Sequence, residues 1–403
     1  MNTPVEQTSA TLGDTVDPHD PYPFFAARRR EGGVFHGSVM DYSKTPEELR
    51  PSDSYAAMSW SSVNQALRNN KVFSTELYDS TIGVFMGPTI LAMSGITHRA
   101  HRNLVSSAFK PQSLASWEPE IVRPICHQLI DEFIDAGRAD LVRDFTFEFP
   151  TRVIARLLGL PEQDLPFFRK AAVAIISYAG DVPRALQASK DLQEYFLGHI
   201  DERRSAPRDD IISDLVRAEV DGEKLSERAI YSFLRLLLPA GLETTYRSSG
   251  NLLYLLLTHP EQFAALQQNH DLLPMAIEEG LRYETPLTMV QRIVTEDTEL
   301  DGVAIPKGAV LDICLGSANR DETRWERAEV FDIHRPHQPH ISFTAGAHTC
   351  LGLHLARMET RVAVQCLLDR LTGITLLQDG DPEIFGQPFR SPTALPVTFD
   401  VVG

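Results

Sequence analysis

Cysteine is scarce in this sequence. Four cysteines occur among the 403 residues, and none belongs to a Cys-x-x-Cys pair. They are Cys126, Cys314, Cys350 and Cys366. Small disulfide-bonded domains need more cysteines at closer spacing, so the sequence predicts a reduced protein without a disulfide framework.

Long apolar runs are also missing. The longest ones, such as residues 252–257, are far shorter than the roughly 20 residues that a membrane span requires. No apolar stretch follows a basic start at the N-terminus. We therefore expect a cytoplasmic protein with no membrane partner.

Positive charge is in deficit. The chain has 38 Lys and Arg residues against 55 Asp and Glu residues, which gives a net charge of −17. Binding to a phosphate backbone requires a basic face, so nucleic acid is not expected as a partner.

Interdomain linkers and repeats are absent as well. No Pro/Ser/Gly-rich tract divides the chain, and 43% of the residues are hydrophobic, enough for a large core. We expect residues 1–15 to be frayed and residues 16–403 to form a single domain.

What the sequence does contain is mostly helical periodicity. Glycine or proline separates the helical patterns, and short strand patterns follow Pro286. The helical patterns cover residues 21–30, 97–109, 121–134, 147–158, 164–178, 184–204, 211–218, 226–257, 273–284 and 353–371. The strand patterns cover residues 290–295, 300–305, 309–315 and 394–401, while residues 73–93 and 385–392 are predicted as loops. The fold class predicted is mainly α with small β-sheets.

The longest helix begins after a capping Ser226 and is about 45 Å long at about 1.5 Å per residue, so it should cross the domain. Pro239 and Gly241 lie in its middle. Proline removes a backbone donor, and glycine costs about 1 kcal/mol relative to alanine. These residues predict a local opening of the helix.

An acid and an alcohol follow this opening. Glu243 next to Thr244 is the pairing that proton delivery requires. The structural alternative is that the Thr244 hydroxyl bonds to the carbonyl of Ala240, four residues earlier, as mid-helix threonines often do.

The stretch with the most candidate functional residues is 343–352, which reads Phe-Thr-Ala-Gly-Ala-His-Thr-Cys-Leu-Gly. The positive end of the following helix would favour a thiolate at Cys350. Gly346 and Gly352 permit tight turns near a flat cofactor, and Phe343 offers an aromatic face. A buried structural cysteine is the alternative.

Two pairs of polar or charged side chains also have the spacing of neighbours on a helix. His98 and Arg102 are four residues apart on one predicted helix and can bind one anion together. Glu279 and Arg282 are three apart on another, where flanking apolar residues suggest partial burial. Taken alone, each pair is more often a solvated helix face.

Three of these patterns, in this order, resemble motifs of the cytochrome P450 family. The loop at residues 343–352 resembles its haem-binding loop, residues 240–245 its Ala-Gly-x-Glu-Thr-Thr oxygen-activation motif, and residues 279–282 its ExxR motif. One departure is Thr344, which stands where the family usually has glycine.

The resemblance implies haem b as the cofactor, with Cys350 as the axial ligand to the iron. It also implies the other site residues: Thr244 and Glu243 for proton delivery; His98, Arg102, Arg292, His348, Phe343, Gly346, Gly352 and Ala240 for the cofactor; and Glu279, Arg282 and Arg335 for support of the loop.

The activity implied is that of a monooxygenase that uses dioxygen and two electrons. No reductase motif is fused to the chain, so electrons would come from a separate ferredoxin and ferredoxin reductase. A basic patch of Arg99, Arg102 and Arg357 is expected to receive the ferredoxin.

The substrate is expected to be a small apolar compound such as a terpenoid, steroid, fatty acid or aromatic, because the candidate pocket residues include no charged side chain. These candidates are Phe85, Met86, Leu234, Leu237, Leu238, Leu242, Leu287, Met289, Val290 and Thr393.

Two alternatives remain open at this point. One is a haem-thiolate protein with another role, a peroxygenase or a ligand sensor, which the intact Glu243-Thr244 pair disfavours. The other is a zinc protein that uses His334, His337 and His340, whose spacing is irregular for zinc sites.

Metal analysis separates the zinc hypothesis from the haem hypothesis. Purified protein should contain iron and haem in equal amounts and only traces of zinc, as measured by plasma mass spectrometry and the pyridine haemochrome assay. Stoichiometric zinc without haem would contradict the haem assignment.

Overall fold

The computed structural model describes residues 16–43, 47, 50–106, 108–109, 111–176, 181–220, 222–377 and 382–402. The predicted frayed N-terminus, residues 1–15, lies outside the described residues.

α-Helices form about half of the described chain, in agreement with the mainly α fold that the sequence predicted. They are α1 Tyr22–Glu31, α2 Trp60–Arg68, α3 Leu77–Ser80, α4 Gly83–Met86, α5 Gly95–Ser106, α6 Pro111–Trp117, α7 Arg123–Asp131, α8 Glu148–Leu157, α9 Leu165–Ile176, α10 Val182–Ser205, α11 Ile211–Arg217, α12 Glu227–Thr258, α13 Pro260–Gln268, α14 Leu273–Tyr283, α15 Leu315–Ala318 and α16 Leu353–Arg370. Short 3₁₀ or π segments lie at Glu118–Val122, Ile134–Ala136, Val142–Thr146, Glu162–Asp164, His270–Leu272 and Gly346–His348.

The strands are short and belong to small sheets. They are β1 Val34–His36, β2 Ser54–Ala57, β3 Phe73–Ser74, β4 Arg138–Asp140, β5 Glu219–Val220, β6 Glu223–Lys224, β7 Val290–Val294, β8 Thr298–Leu300, β9 Val303–Ile305, β10 Val310–Ile313, β11 Leu371–Leu376, β12 Ile384–Phe385, β13 Ser391–Pro392 and β14 Pro396–Val401. The largest sheet has the order β1-β2-β10-β7-β3, and within it β10 pairs in parallel with β2. The predicted fold class, mainly α with small β-sheets, is confirmed.

Apolar side chains form one large core among the helices and two smaller cores at the sheet. The helical core includes residues of α7, α8, α10, α12, α14 and α16. The second core covers one face of the five-stranded sheet, and the third lies between that sheet and α1. The long helix α12 therefore packs against neighbours on several sides, and α16 is one of them.

Helix α12 begins where the sequence predicted. The Ser226 hydroxyl accepts a hydrogen bond from the backbone N–H of Ala229, which caps the helix. The helix is 32 residues long, about 48 Å. The predicted opening is wrong in one respect: the residues on both sides of Pro239 remain α-helical without interruption. Tertiary packing along α12 outweighs the local cost of proline here.

Two loop predictions also need correction. Residues 385–392, predicted as a loop, contain parts of β12 and β13, which pair antiparallel with Ile384 opposite Pro392. Residues 73–93 contain β3 and the short helices α3 and α4. Elements of two to four residues are too short to produce a periodic pattern, so the sequence did not reveal them.

Within the described residues, no helix has the length and apolar character needed to span a bilayer.

Candidate active site

The loop before α16 presents Cys350 beside the start of that helix. The backbone N–H of Cys350 donates to the carbonyl of Phe343 at 3.0 Å, which folds the loop back on itself. Gly346 has φ +77°, and a Cβ at this position would lie 2.8 Å from the Leu67 carbonyl oxygen at the end of α2. Glycine is therefore required where the loop passes α2. Among the described cysteines, Cys350 is the exposed one.

The N–H of Gly352, at the start of the following helix, lowers the pKa of the Cys350 thiol in the expected direction, and the charges of Arg102 and Arg357 lower it further. Although Cys350 has an exposed surface, the surrounding protein desolvates the thiol, and this effect is larger and raises the pKa overall. A bound metal cation is what ionises a cysteine in such a place.

A salt bridge that the sequence analysis missed covers the aromatic side of the loop. The Arg357 guanidinium donates from Nε and Nη2 to both carboxylate oxygens of Glu278, at 2.6 and 2.7 Å. The guanidinium carbon of Arg357 lies 4.6 Å from the ring centroid of Phe343. Burial raises the pKa of Glu278, but hydrogen bonds with His340 and Arg357 outweigh it and hold the pKa at about 2. In the sequence, the feature that could have indicated this salt bridge was the position of Glu278 next to Glu279.

The structure brings together the three residues expected to support the loop. Glu279 accepts from Arg282 at 2.7 and 2.8 Å and from Arg335 Nε at 3.1 and 3.2 Å. Arg282 also donates to the carbonyls of Asn319 and Ala328 at 3.0 and 2.9 Å. Since Glu279 and Arg282 are almost fully buried, removal of one partner would leave a buried charge and cost about 3–5 kcal/mol.

Four nitrogen-bearing side chains lie close together around His348, two residues before Cys350. The rings of His98 and His348 lie 4.1 Å apart between centroids, and Arg102 Nη2 donates to the carbonyl of Thr349 at 2.6 Å. Arg292 is 3% exposed on β7 and donates to its neighbour's carbonyl at 2.7 Å. Of the residues that the structure describes, none offers a carboxylate within ion-pair distance of Arg102 or Arg292.

The protonation states of these side chains suit an anionic ligand, and so does one buried nitrogen atom that has no hydrogen-bond partner in the described chain. Burial, followed by the charges of His98, Arg292 and Arg102, lowers the pKa of His348 to about 3. Burial and Arg102 also lower the pKa of His98, so both rings are neutral at pH 7. The buried Nε2 of His98 has no hydrogen-bond partner in the described chain. Two arginines and two neutral imidazoles without a carboxylate partner fit the two carboxylates of a haem.

The candidate oxygen-activation residues share one face of α12. Ala240 is exposed in the middle of α12, where its neighbours are buried or partly buried, and Thr244, one turn later, is partly exposed. The Thr244 hydroxyl donates to the carbonyl of Ala240 at 3.0 Å, the arrangement of the structural alternative. An exposed surface in the middle of such a helix indicates an internal cleft at this position.

Glu243 is held by residues that the sequence analysis did not identify. Its Oε1 accepts from Arg247 Nε at 2.8 Å and from Arg247 Nη2, and the Tyr246 hydroxyl lies 3.4 Å away. Arg247 Nη1 also donates to Ser391 Oγ at 2.9 Å, which ties α12 to β13. The i, i+4 spacing of Glu243 and Arg247 was the signal for this pair.

The pocket candidates divide into core and partly exposed residues. Leu234, Leu238 and Leu242 on α12 are at most 1% exposed and pack in the protein interior. Phe85 and Met86 are 5% exposed in the helical core, and Met289 belongs to the core next to α1. These six side chains are buried in the structure, which apolar character alone did not show. Leu237, Leu287 and Val290 are partly exposed, and Thr393 is exposed.

The zinc hypothesis receives no geometric support. No group of three or more His, Cys, Asp or Glu side chains within the described ranges is placed to hold a metal ion. His340 instead lies 3.3 Å from Glu278.

Thr344 adopts the backbone conformation that glycine normally occupies. Its φ is +60°, which is an outlier for a β-branched residue and costs about 1–2 kcal/mol. Its hydroxyl donates to the carbonyl of His348 at 2.9 Å and so closes the loop. This hydrogen bond contributes about 1 kcal/mol and offsets much of the strain.

Comparison with known proteins places these features in one family. The family model described as Cytochrome P450 matches residues 175–394. The biotin biosynthesis cytochrome P450 of Bacillus subtilis (strain 168) is 37% identical over 75% of this chain and 78% of its own length. The structure of cytochrome P450 CYP109Q5 from Chondromyces apiculatus superposes with a TM-score of 0.85 at 33% identity, over 95% of this chain and 96% of that one. CYP109E1 from Bacillus megaterium, solved in complex with testosterone, gives a TM-score of 0.83 at 29% identity, over 94% and 99% of the two chains.

Substitutions at Thr344 should separate strain from hydrogen bonding. Thr344→Val keeps the β-branch but removes the hydroxyl, and it should destabilise the holoprotein by about 1 kcal/mol. Thr344→Gly loses the same hydrogen bond but relieves the strain, so its stability should be close to that of the original protein. Thr344→Ser, which keeps the hydroxyl, is the matched control, and all are compared by thermal unfolding. Equal stability of the Val variant and the original protein would show that the hydroxyl contributes nothing.

Proposed function

The chain belongs to the cytochrome P450 family and is a haem-dependent monooxygenase; on this premise we propose that it oxidises a small apolar organic substrate, with Cys350 as the axial ligand of haem b. The observation that carries the ligand assignment is the exposed Cys350 at the start of α16, in a loop closed on Phe343 and next to a carboxylate-free group of cationic and imidazole side chains.

The haem, when bound, supplies the activation of dioxygen with two electrons. The residues of this chain would bind and orient it. Arg102, Arg292, His98 and His348 would donate hydrogen bonds to its two carboxylates. Phe343 and the Glu278-Arg357 pair would cover the cysteine side and restrict water there.

Proton delivery would be the task of α12. Arg247 holds Oε1 of Glu243, which leaves Oε2 as the oxygen able to exchange a proton with water or with Thr244. Glu243 Oε2 would first take a proton from solvent water. Thr244 Oγ1 would then give its own proton towards the haem and take that proton from Glu243, which returns to the carboxylate bound by Arg247. Rotation of the Thr244 hydroxyl away from the Ala240 carbonyl is the movement that this sequence requires.

The substrate proposed is a terpenoid, steroid, fatty acid or aromatic compound. Support comes from the partly exposed apolar side chains of Leu237, Leu287 and Val290 and from the steroid in the structurally similar CYP109E1. Thr393, exposed after β13, is proposed as a further contact.

The electrons are proposed to come from a separate ferredoxin and its reductase, and residues 16–403 are proposed to form one haem domain. The expected basic patch is smaller than the sequence suggested. Arg357 is paired with Glu278 and Arg102 points to Thr349, so Arg99, exposed on α5, is the main remaining cation of the three.

Replacement of Cys350 tests the ligand assignment. The original protein should give the red-shifted Soret band of a ferrous–carbonyl haem with a thiolate ligand, and Cys350→Ser should lose that band while Cys314→Ala keeps it. Difference spectra of reduced samples under carbon monoxide provide the measurement. A thiolate-type band that survives Cys350→Ser would identify another ligand and would refute the assignment.

Substitutions on α12 test the proton relay. In Thr244→Ala and Arg247→Met, product formed per electron pair should fall by roughly tenfold, with peroxide released in its place, because a positioned acid–base group is lost. Arg247→Lys should restore part of the coupling. Assays with a substrate identified by its Soret shift measure product and peroxide together. Unchanged coupling in Thr244→Ala would exclude the relay, and a peroxygenase would show full activity with added peroxide in all variants.

A further inference from the structure

A buried arginine on α12 lacks an anionic partner. Arg235 is 5% exposed, and its guanidinium donates to the carbonyls of Phe85 and Met86 at 3.2 and 2.7 Å and to Ser189 Oγ at 2.7 Å. Within the described part of the chain no carboxylate pairs with it, and its Nε has no hydrogen-bond partner. Buried charges are normally paired, so this arrangement indicates a missing counter-ion.

Arg235 lines an open groove of about 410 Å³ between α4, α10 and α12. Lys190 and Arg228 line the same groove, and none of its described lining residues is Asp or Glu. Lys190 makes only a loose 4.0 Å pair with Glu194 at the surface. Three positive charges in a groove whose lining includes no carboxylate are unexpected in a chain with a net charge of −17.

The groove also has an apolar wall. Val84 is 58% exposed and Leu186 is 42% exposed, and both line the groove beside the ring of Tyr231. The guanidinium carbon of Arg235 lies 4.9 Å from the centroid of that ring. The groove therefore offers positive charge next to a surface for an apolar group.

This groove is separate from the candidate active site. Arg228, Tyr231 and Arg235 follow one another at i, i+3 and i+7 and share a face of α12. Thr244 lies nine residues after Arg235, about two and a half helical turns, and so faces the opposite side. A ligand in the groove would not contact the Thr244 face.

We propose that the groove binds the oxyanion head of an amphipathic organic acid, a carboxylate or a phosphate monoester with an apolar tail. Lys190 and Arg228 bind the head at the rim, and the positive charge of Arg235 attracts it from the floor. The tail lies on Val84, Leu186 and Tyr231.

Calorimetric titration of the holoenzyme with decanoate, decyl phosphate and decanol tests this site. At least one of the two acids should bind, and decanol should bind at least tenfold more weakly. The tighter of the two acids identifies the head group. The double variant Lys190→Gln/Arg228→Gln should lose about fivefold in affinity for that acid, because it removes two exposed charge contacts. The double variant should bind the acid more weakly, but its Soret band should be the same as that of the original protein, since the groove lies on the other face of α12.

The matched control is Arg30→Gln/Lys307→Gln, which removes two positive charges far along the sequence from the groove and should bind the acid as tightly as the original protein. Arg235→Met should weaken binding by more than tenfold, as expected for loss of a charged donor. Because Arg235 also holds α4, the surface double variant decides the question. Equal affinity of that variant and the original protein, or equal binding of decanol and both acids, would overturn the proposal.

Discussion

The structure around the candidate site depends on one buried carboxylate. Glu279 on α14 is bound by Arg282 of the same helix and by Arg335 from the segment before the cysteine loop, and it also accepts from the backbone N–H of Asp332 at 2.9 Å. The two arginines also donate hydrogen bonds to backbone carbonyls of the irregular segment between α15 and the cysteine loop. A long segment with little regular structure is thereby fixed without a sheet or a helix of its own. The position of Cys350 follows from charge pairing as much as from apolar packing.

Much of this arrangement could be predicted from the sequence where the determinant is local. The length and capped start of α12, the strands after Pro286, and the Glu279-Arg282 pair all follow from spacing over a few residues. The partners of these groups could not be predicted in the same way. Arg247 was available at i+4 from Glu243, but its bond to Ser391 joins residues 144 apart in sequence, and no periodic pattern reports such a contact. The short hairpin that carries Ser391 was predicted as a loop for the same reason.

Burial explains the remaining differences. Leu238 and Met289 have the same apolar character as Leu237 and Leu287, yet the first two pack in cores and the second two are partly exposed. The helix end was expected to favour a thiolate at Cys350, and the Gly352 N–H does lower the pKa of the thiol, but desolvation raises that pKa by more. Both quantities depend on how far a residue lies from water, and that distance is set by the whole fold.

The conformation of Thr344 has a consequence for the chain before it folds. A glycine at this position would sample both signs of φ in the unfolded ensemble and would lose that freedom on folding. Threonine samples fewer states, but the left-handed region at φ +60° is one that it rarely visits, so the native turn is uncommon in the unfolded chain. Its hydroxyl bond to the His348 carbonyl closes a loop of only a few residues. The turn before Cys350 is therefore not guided by local backbone preference during folding and forms together with the contacts that hold it.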